Sequence, residues 1–311
     1  MPIMDERSGR RRAKGWRAVL ALAVLALIWG YNWVVMKEVL KYAAPFDFTA
    51  LRTVFGTITL FAALLWQGKS LRPLAVRPTI LLGLLQTATF MGLVQWALVH
   101  GGAGKTAVLA YTMPFWMLVL GRLFLRERVR GAQWLAVGIA AGGLVFILEP
   151  WRLAGSVMSS SMAVAAGLAW AAAAVLVKKI RIQAKVDLLS LTAWQMAFGA
   201  LVLVVIALLA PSRPIIISGY FVIALAFNAV LCTGLAWLLW LFVLDNLPAW
   251  VAGLASLVVP AVGVLAAWIE LGEKPSGAEL LGMLLIALAL MLLTLLTLRQ
   301  TRRIRAGSKP R

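Results

Sequence analysis

One cation in this chain stands where the surrounding sequence offers it no water. Arg52 lies inside an apolar run that opens near Phe46, about one or two helical turns from the start of that run. A charge in hydrocarbon is costly unless it snorkels to the interface or finds a partner. A structural role for Arg52 is snorkelling, or pairing with Glu38 or Asp47; a functional one is closing a gate or attracting a substrate carboxylate. Aromatic and amide side chains supply the remaining candidate chemistry. Trp29, Asn32, Trp33 and Met36 share one face of a helix by i, i+3, i+4 and i+7 spacing, and Gln86, Phe90 and Leu93 share another, with Gln95 nearly opposite. Tyr111 and Phe115 flank Pro114, whose missing N–H frees a carbonyl one turn earlier and loosens the helix. The expected substrate contacts are Trp29, Asn32, Gln86, Phe90, Tyr111, Trp170, Gln195, Asn228 and Trp237, with Arg52 as gate or charge and Pro114 and Pro260 as hinges. Aromatic rings also belong in interfacial belts and helix packing, the simplest reading of Trp16, Trp66, Trp134, Trp151 and Trp250. Amides in mid-run are harder to assign to packing, because an unsatisfied polar group in hydrocarbon costs kcal/mol.

The missing chemistry narrows the function. All eleven Asp and Glu residues lie at run ends, in connections or in the N-terminal tail, so no carboxylate is placed as an intramembrane proton relay. Facilitated diffusion or exchange is the more economical expectation. Phosphorylated substrates would need several cations to replace the water around phosphate, and one arginine does not supply them. Gly101-Gly102-Ala103-Gly104-Lys105-Thr106 resembles the end of a phosphate-binding loop, but Val99 occupies its first glycine position and no strand precedes it. His100 and Cys232 are each the sole residue of their type; no metal, cofactor or disulfide is expected. Ser256 and Tyr111 have no acidic or imidazole partner in reach by sequence, so catalysis is not expected.

The elements that must position these groups are membrane helices. The chain has 311 residues, 63% of them hydrophobic and 13% charged, with a mean hydropathy of +0.94, values that fit lipid rather than water as the solvent for most of the surface. Apolar runs long enough to cross about 30 Å of hydrocarbon fall near 17–36, 46–66, 78–99, 103–124, 131–149, 159–178, 187–209, 216–243, 249–270 and 277–298. The formal charge of +19 is distributed topologically, which argues against a nucleic-acid partner. Clusters at Arg7–Arg17, Lys69–Arg77, Arg122–Arg130, Lys178–Lys185 and Arg299–Arg311 alternate with connections carrying scattered charges. The positive-inside rule then puts both termini in the cytoplasm. The first run is long enough to span, so it is not read as a cleaved signal. The expected organisation is a basic tail over 1–16, a five-helix repeat over 17–149, a connecting loop over 150–158, a second repeat over 159–298 and a basic tail over 299–311.

The two halves correspond. Pro114, Arg126-Glu127 and Gly131 recur at one interval as Pro260, Gly272-Glu273 and Gly277; Trp29 resembles Trp170, and Phe55-Gly56 resembles Phe198-Gly199. Five spans is an odd number, so the second copy enters the bilayer from the opposite side. Inverted repeats of this kind place a substrate site between the halves near the membrane midplane. The expected fold is therefore an all-α integral membrane protein, ten transmembrane helices in two inverted five-helix repeats around a central cavity. Leu51-Arg52, Tyr111-Thr112-Met113-Pro114-Phe115, Ser256-Leu257-Val258-Val259-Pro260 and the repeated ends Leu125 to Gly131 and Leu271 to Gly277 resemble the EamA-type members of the drug/metabolite transporter superfamily, across nearly the whole membrane portion. Within that family the chain looks most like the YddG type, exporters of aromatic amino acids. The resemblance implies alternating access without ATP in a cytoplasmic, or inner, membrane. Its partners would be a small neutral or zwitterionic substrate and the lipid bilayer. Rival readings are export of lipophilic cationic drugs, a small lipid flippase and a scaffold without transport. The spacing Gly138-xxx-Gly142 fits either helix dimerisation or intrachain packing, so the chain is expected to be a monomer or weak dimer.

Overall fold

The computed structural model describes residues 3–73, 75–125, 131–148, 156–183, 186–246 and 249–307. Arg126 to Arg130 and Glu149 to Gly155, parts of the repeated motif and the connecting loop, lie outside the described residues. Ten helical passes follow one another: α1 (Ile3–Glu38), α2 (Pro45–Trp66), α3 (Val76–His100), α4 (Ala103–Leu125), α5 (Gly131–Leu148), α6 (Ser156–Gln183), α7 (Leu188–Leu209), α8 (Gly219–Ala226, continuing to Asn246), α9 (Ala249–Leu271) and α10 (Gly277–Gly307). Seven are long and apolar enough to span a membrane, and Gly131–Ile147, Val258–Leu271 and Gly277–Leu293 are shorter apolar stretches among the described residues. No strand occurs among the described residues. With no water in hydrocarbon to satisfy the backbone, helices that bond internally are the form such apolar runs take.

Local chemistry sets where the passes begin. Pro45 opens α2, where its missing N–H would be unpaired anyway. Asp187 accepts the N–H of Ser190 at 2.9 Å to cap α7, and Ser218 accepts that of Phe221 at 3.2 Å to cap α8. Before α10, Ser276 Oγ accepts from Glu279 N at 3.1 Å while Glu279 Oε2 accepts from Ser276 N at 2.9 Å, a reciprocal capping box.

The helix pairings repeat under exchange of α1–α5 with α6–α10. α5 packs on α10, α2 on α7 and α4 on α9, each a helix with its own counterpart. The remaining principal pairings come as mates: α1 with α9 and α6 with α4; α1 with α8 and α6 with α3; α2 with α8 and α7 with α3. Two inverted five-helix repeats facing each other across an axis in the membrane plane produce this pattern. The same positions in α3 and α8 carry π-helical segments, Gly83–Thr89 and Phe227–Leu235. Each is locked by a glycine of the opposite repeat: a Cβ at Gly56 would stand 2.7 Å from Thr233 Cγ2, and one at Gly199 would strike Thr87. Among the described residues, nothing lies within 4 Å of where a side chain would begin at Gly138 or Gly142, and the α5–α10 contact uses Gly143.

The fourth and ninth passes differ. α4 is interrupted at Tyr111–Thr112, with an α-helical segment ending at Ala110 and another starting at Met113, whereas α9 runs as one helix with Pro260 inside it.

Candidate functional site

Two contiguous chambers lie between the repeats. The larger, about 390 Å³, reaches Val177 and Arg181 of α6 and Leu188 at the start of α7. These residues share the basic end of the bundle with Lys69, Arg72, Lys178 and Lys179. The smaller, about 100 Å³, continues toward the opposite end, where Met36, Arg52 and Val94 line it. Trp29, Gln86, Tyr111, Trp170, Gln195 and Trp237 belong to the walls of both.

Aromatic rings form two groups across this space. Trp29 packs edge-on to Trp237 at 6.1 Å between centroids and lies 6.2 Å from Trp240, with its indole N–H donating to the Cys232 carbonyl at 3.0 Å. Trp170 lies 4.9 Å from Phe90 and 5.6 Å from Tyr111, and Tyr111 meets Trp33 at 6.5 Å. The interruption at Tyr111–Thr112 delivers the Tyr111 ring to this group. Pro114 cannot donate to the carbonyl of Ala110, and the Thr112 hydroxyl turns back to Leu109 O at 2.7 Å.

The polar residues of the walls are held from behind. Gln195 accepts from Thr87 Oγ1 at 2.8 Å, tying α7 to the π segment of α3. Arg52 is 7% exposed. Its Nη1 donates to Asn228 Oδ1 and to Met36 Sδ, each at 3.1 Å, and its guanidinium stands 6.0 Å from the Phe48 ring. Asn228 is oriented for this by donating its own Nδ2 to Ala224 O at 3.1 Å. The π segment that carries Asn228 closes with Thr233 Oγ1 donating to Asn228 O, five residues back, at 2.9 Å. Arg52 takes no part in the ion pairs of Lys41 with Glu38, Lys69 with Asp187 or Lys105 with Glu279. Glu38 pairs with Lys41 at 2.6 Å and Asp47 accepts from Ser212, so neither carboxylate considered from the sequence serves Arg52. Among the described residues, Arg52 Nε and Asn32 Oδ1 are buried without hydrogen-bond partners.

Of the residues expected from sequence, Trp29, Asn32, Gln86, Phe90, Tyr111, Trp170, Gln195, Trp237 and Arg52 are brought together in the chamber walls. Asn228 is 1% exposed and stands behind Arg52 rather than in a wall. Pro114 is at neither chamber, and Pro260 borders a separate apolar groove between α9 and α10. Trp33, Met36, Met91, Met196 and Cys232 join the smaller chamber without having been singled out as contacts. The shared face of Trp33 and Met36 with Asn32 was the available signal.

The end opposite the basic clusters is sealed between the repeats. Lys105 pairs with Glu279 at 2.8 Å, and the Glu273 carboxylate accepts the N–H groups of Ala103 and Gly104 at 2.8 and 3.1 Å. The extended segment before α8 crosses the same end: Ile216 N donates to Tyr42 O at 2.8 Å, Arg213 donates to Leu40 O and Ser212 to Asp47. Tyr31 donates to Glu270 at 3.0 Å and Ser159 to Ala97 O. At the basic end, Lys69 pairs with Asp187 at 2.7 Å and Trp194 Nε1 donates to Leu71 O at 3.0 Å across the repeats.

The sequence pattern of the EamA-like transporter family matches this chain twice, over residues 16–149 and 158–295. The "Uncharacterized transporter YoaV" of Bacillus subtilis is 30% identical over 285 residues, 89% of this chain and 97% of that protein. A "Probable amino-acid metabolite efflux pump" of Salmonella typhimurium is 28% identical over 280 residues, 86% of this chain and 91% of the relative. A solved crystal structure with 21% identity has the same fold, with a TM-score of 0.64 over 90% of this chain and 98% of its own.

Proposed function

The chain belongs to the EamA-like transporter family, and we propose that it exports small neutral or zwitterionic solutes, amino acids with aromatic side chains among them, by alternating access without ATP. The observation that carries this reading is the aromatic and amide chamber between the repeats, which reaches the basic end and is sealed at the other. By the positive-inside rule the basic end is cytoplasmic. The present form is then the one that loads from the cytoplasm, and breaking the opposite seal releases substrate outward. The efflux pump named among the relatives supports amino-acid export. Carboxylates confined to the helix ends support facilitation or exchange over proton coupling. Buried Arg52 opposes the rival of a lipophilic cation, because the deep chamber would then hold two like charges.

The test is uptake by liposomes containing the purified protein, with labelled amino acids from aromatic to small and no imposed ion gradient. Saturable uptake of aromatic substrates is expected. Trp170 lies in the walls of both chambers; Trp170→Ala takes away a ring that an aromatic substrate would pack against, an aromatic contact being worth about 0.5–1.5 kcal/mol beyond burial, and should lower apparent affinity on the order of tenfold. Absence of uptake by folded protein refutes the amino-acid assignment.

A further inference from the structure

We propose that the small chamber is a docking site for the head group of an α-amino acid, with Arg52 taking the carboxylate and Asn32 the ammonium. This rests on the amino-acid reading above and specifies its recognition chemistry. Arg52 is a permanent cation buried in a membrane-spanning bundle, and a guanidinium carries five N–H donors. Among the described residues the protein gives it one neutral amide oxygen and one thioether, leaves Nε unpartnered and pairs it with no carboxylate. A charge held so is incompletely compensated, and the ligand that completes it is an anion of matching planar shape, which a carboxylate is. Asn228 and the α8 π segment aim the guanidinium, so the site is built and not a stray snorkelling side chain.

Asn32 supplies the second half. It lines the same chamber, is 8% exposed, and has a buried Oδ1 without a donor. An ammonium provides that donor. About 100 Å³ accommodates the head group alone, so the side chain must project into the larger chamber between Trp29, Trp170 and Trp237. Charge at one end and an apolar ring at the other therefore select amphipathic α-amino carboxylates, and the head enters first from the basic end.

The experiment measures thermal stabilisation of the purified protein in detergent by four probes: phenylalanine, phenylpropionate, phenylpropionamide and phenethylamine. Phenylalanine and phenylpropionate should bind at least about tenfold more tightly than the amide and the amine, since a charge-assisted bond to Arg52 is lost with the carboxylate. Phenylalanine should exceed phenylpropionate through Asn32, and Asn32→Leu should erase that difference. Arg52→Gln should remove the acid-over-amide preference and Arg52→Lys should retain part of it. Equal binding of acid and amide by the native protein, or binding of none of the four, overturns the proposal without needing a variant to fold. Counterflow of labelled phenylalanine in liposomes reads the transport assignment separately. Discrimination without flux refutes transport and leaves the dock; flux without discrimination refutes the dock and leaves transport.

Discussion

Neutralising Glu273 should open the sealed end of the protein. Its carboxylate accepts from Ala103 N and Gly104 N at 2.8 and 3.1 Å, two of the donors that the first turn of α4 leaves unpaired. Each charge-assisted bond has a net value of about 1.5–3 kcal/mol, and a negative charge at a helix N-terminus adds about 0.3–1 kcal/mol. Glutamine keeps one acceptor oxygen, presents an NH2 where the second N–H needs an acceptor, and loses the charge. About 2 kcal/mol of the seal is then lost, a shift of about thirtyfold in the ratio of closed to open forms. Cys232 is the native reporter: it is the sole cysteine and lines the deep chamber at 7% exposure. A membrane-impermeant maleimide applied to the face opposite the basic clusters should modify Glu273→Gln at up to about thirty times the native rate, following that population shift. An unchanged rate in a variant with native melting behaviour would refute the assignment of Glu273 to the seal.

Pro114→Ala restores a donor toward the Ala110 carbonyl and lets the two segments of α4 join, so substrate exchange should slow on the order of tenfold with binding nearly unchanged. Pro260→Ala should slow it less, because α9 is already continuous; counterflow rates beside binding isotherms decide. Asp187→Ala removes the cap on Ser190 N and the partner of Lys69 and should cost about 1 kcal/mol, seen as a lower melting temperature, while Asp187→Asn keeps the cap and should cost less. Burial raises the Asp187 carboxyl, but the Lys69 ammonium and the Ser190 N–H outweigh it and hold the group below its ordinary range. A depressed folded value means its stabilisation is full at neutral pH and fades as pH falls through that value, so native protein and Asp187→Asn should converge in melting temperature on acidification toward about pH 3.

The sequence made the passes legible because hydrocarbon admits few alternatives to a helix of about 20 apolar residues. It also made legible which side chains share a face, as with Trp29, Asn32, Trp33 and Met36, all of which reach the chambers. What it could not supply was depth and rotation. In a bundle solvated by lipid, the packed and the exposed faces of a helix are both apolar. Spacing therefore did not separate Asn228, hidden behind Arg52, from Gln195, which lines both chambers. The partnership of Arg52 with Asn228 joins residues 176 positions apart, and π segments are defined by backbone bonds that no residue type announces. Glu273 stood out only as half of a repeated motif. Its role depends on α4 beginning beside it, a tertiary fact.

The repeat also predicts its own imperfection. The interval that carries Pro114 to Pro260 carries Glu127 to Glu273, so each copy has the carboxylate that could clasp a helix start in the other. It carries Lys105 to Val251 and Gln133 to Glu279, so the pair that closes the present seal at 2.8 Å has no charged counterpart at the basic end. Both partners of that pair are largely buried, at 11% and 19% exposure, where an ion pair is screened less than at the surface. On the alternating-access reading proposed above, a symmetric scaffold with an asymmetric lock would not populate its two closed forms equally. The form sealed opposite the basic clusters holds this ion pair, whose counterpart positions are Val251 and Gln133, and in the alternating-access cycle proposed above a substrate docked as proposed at Arg52 would have to offset that difference. Selectivity at the deep chamber and opening of the seal would then be one coupled event, because a ligand shifts a conformational equilibrium only by its differential affinity for the two forms.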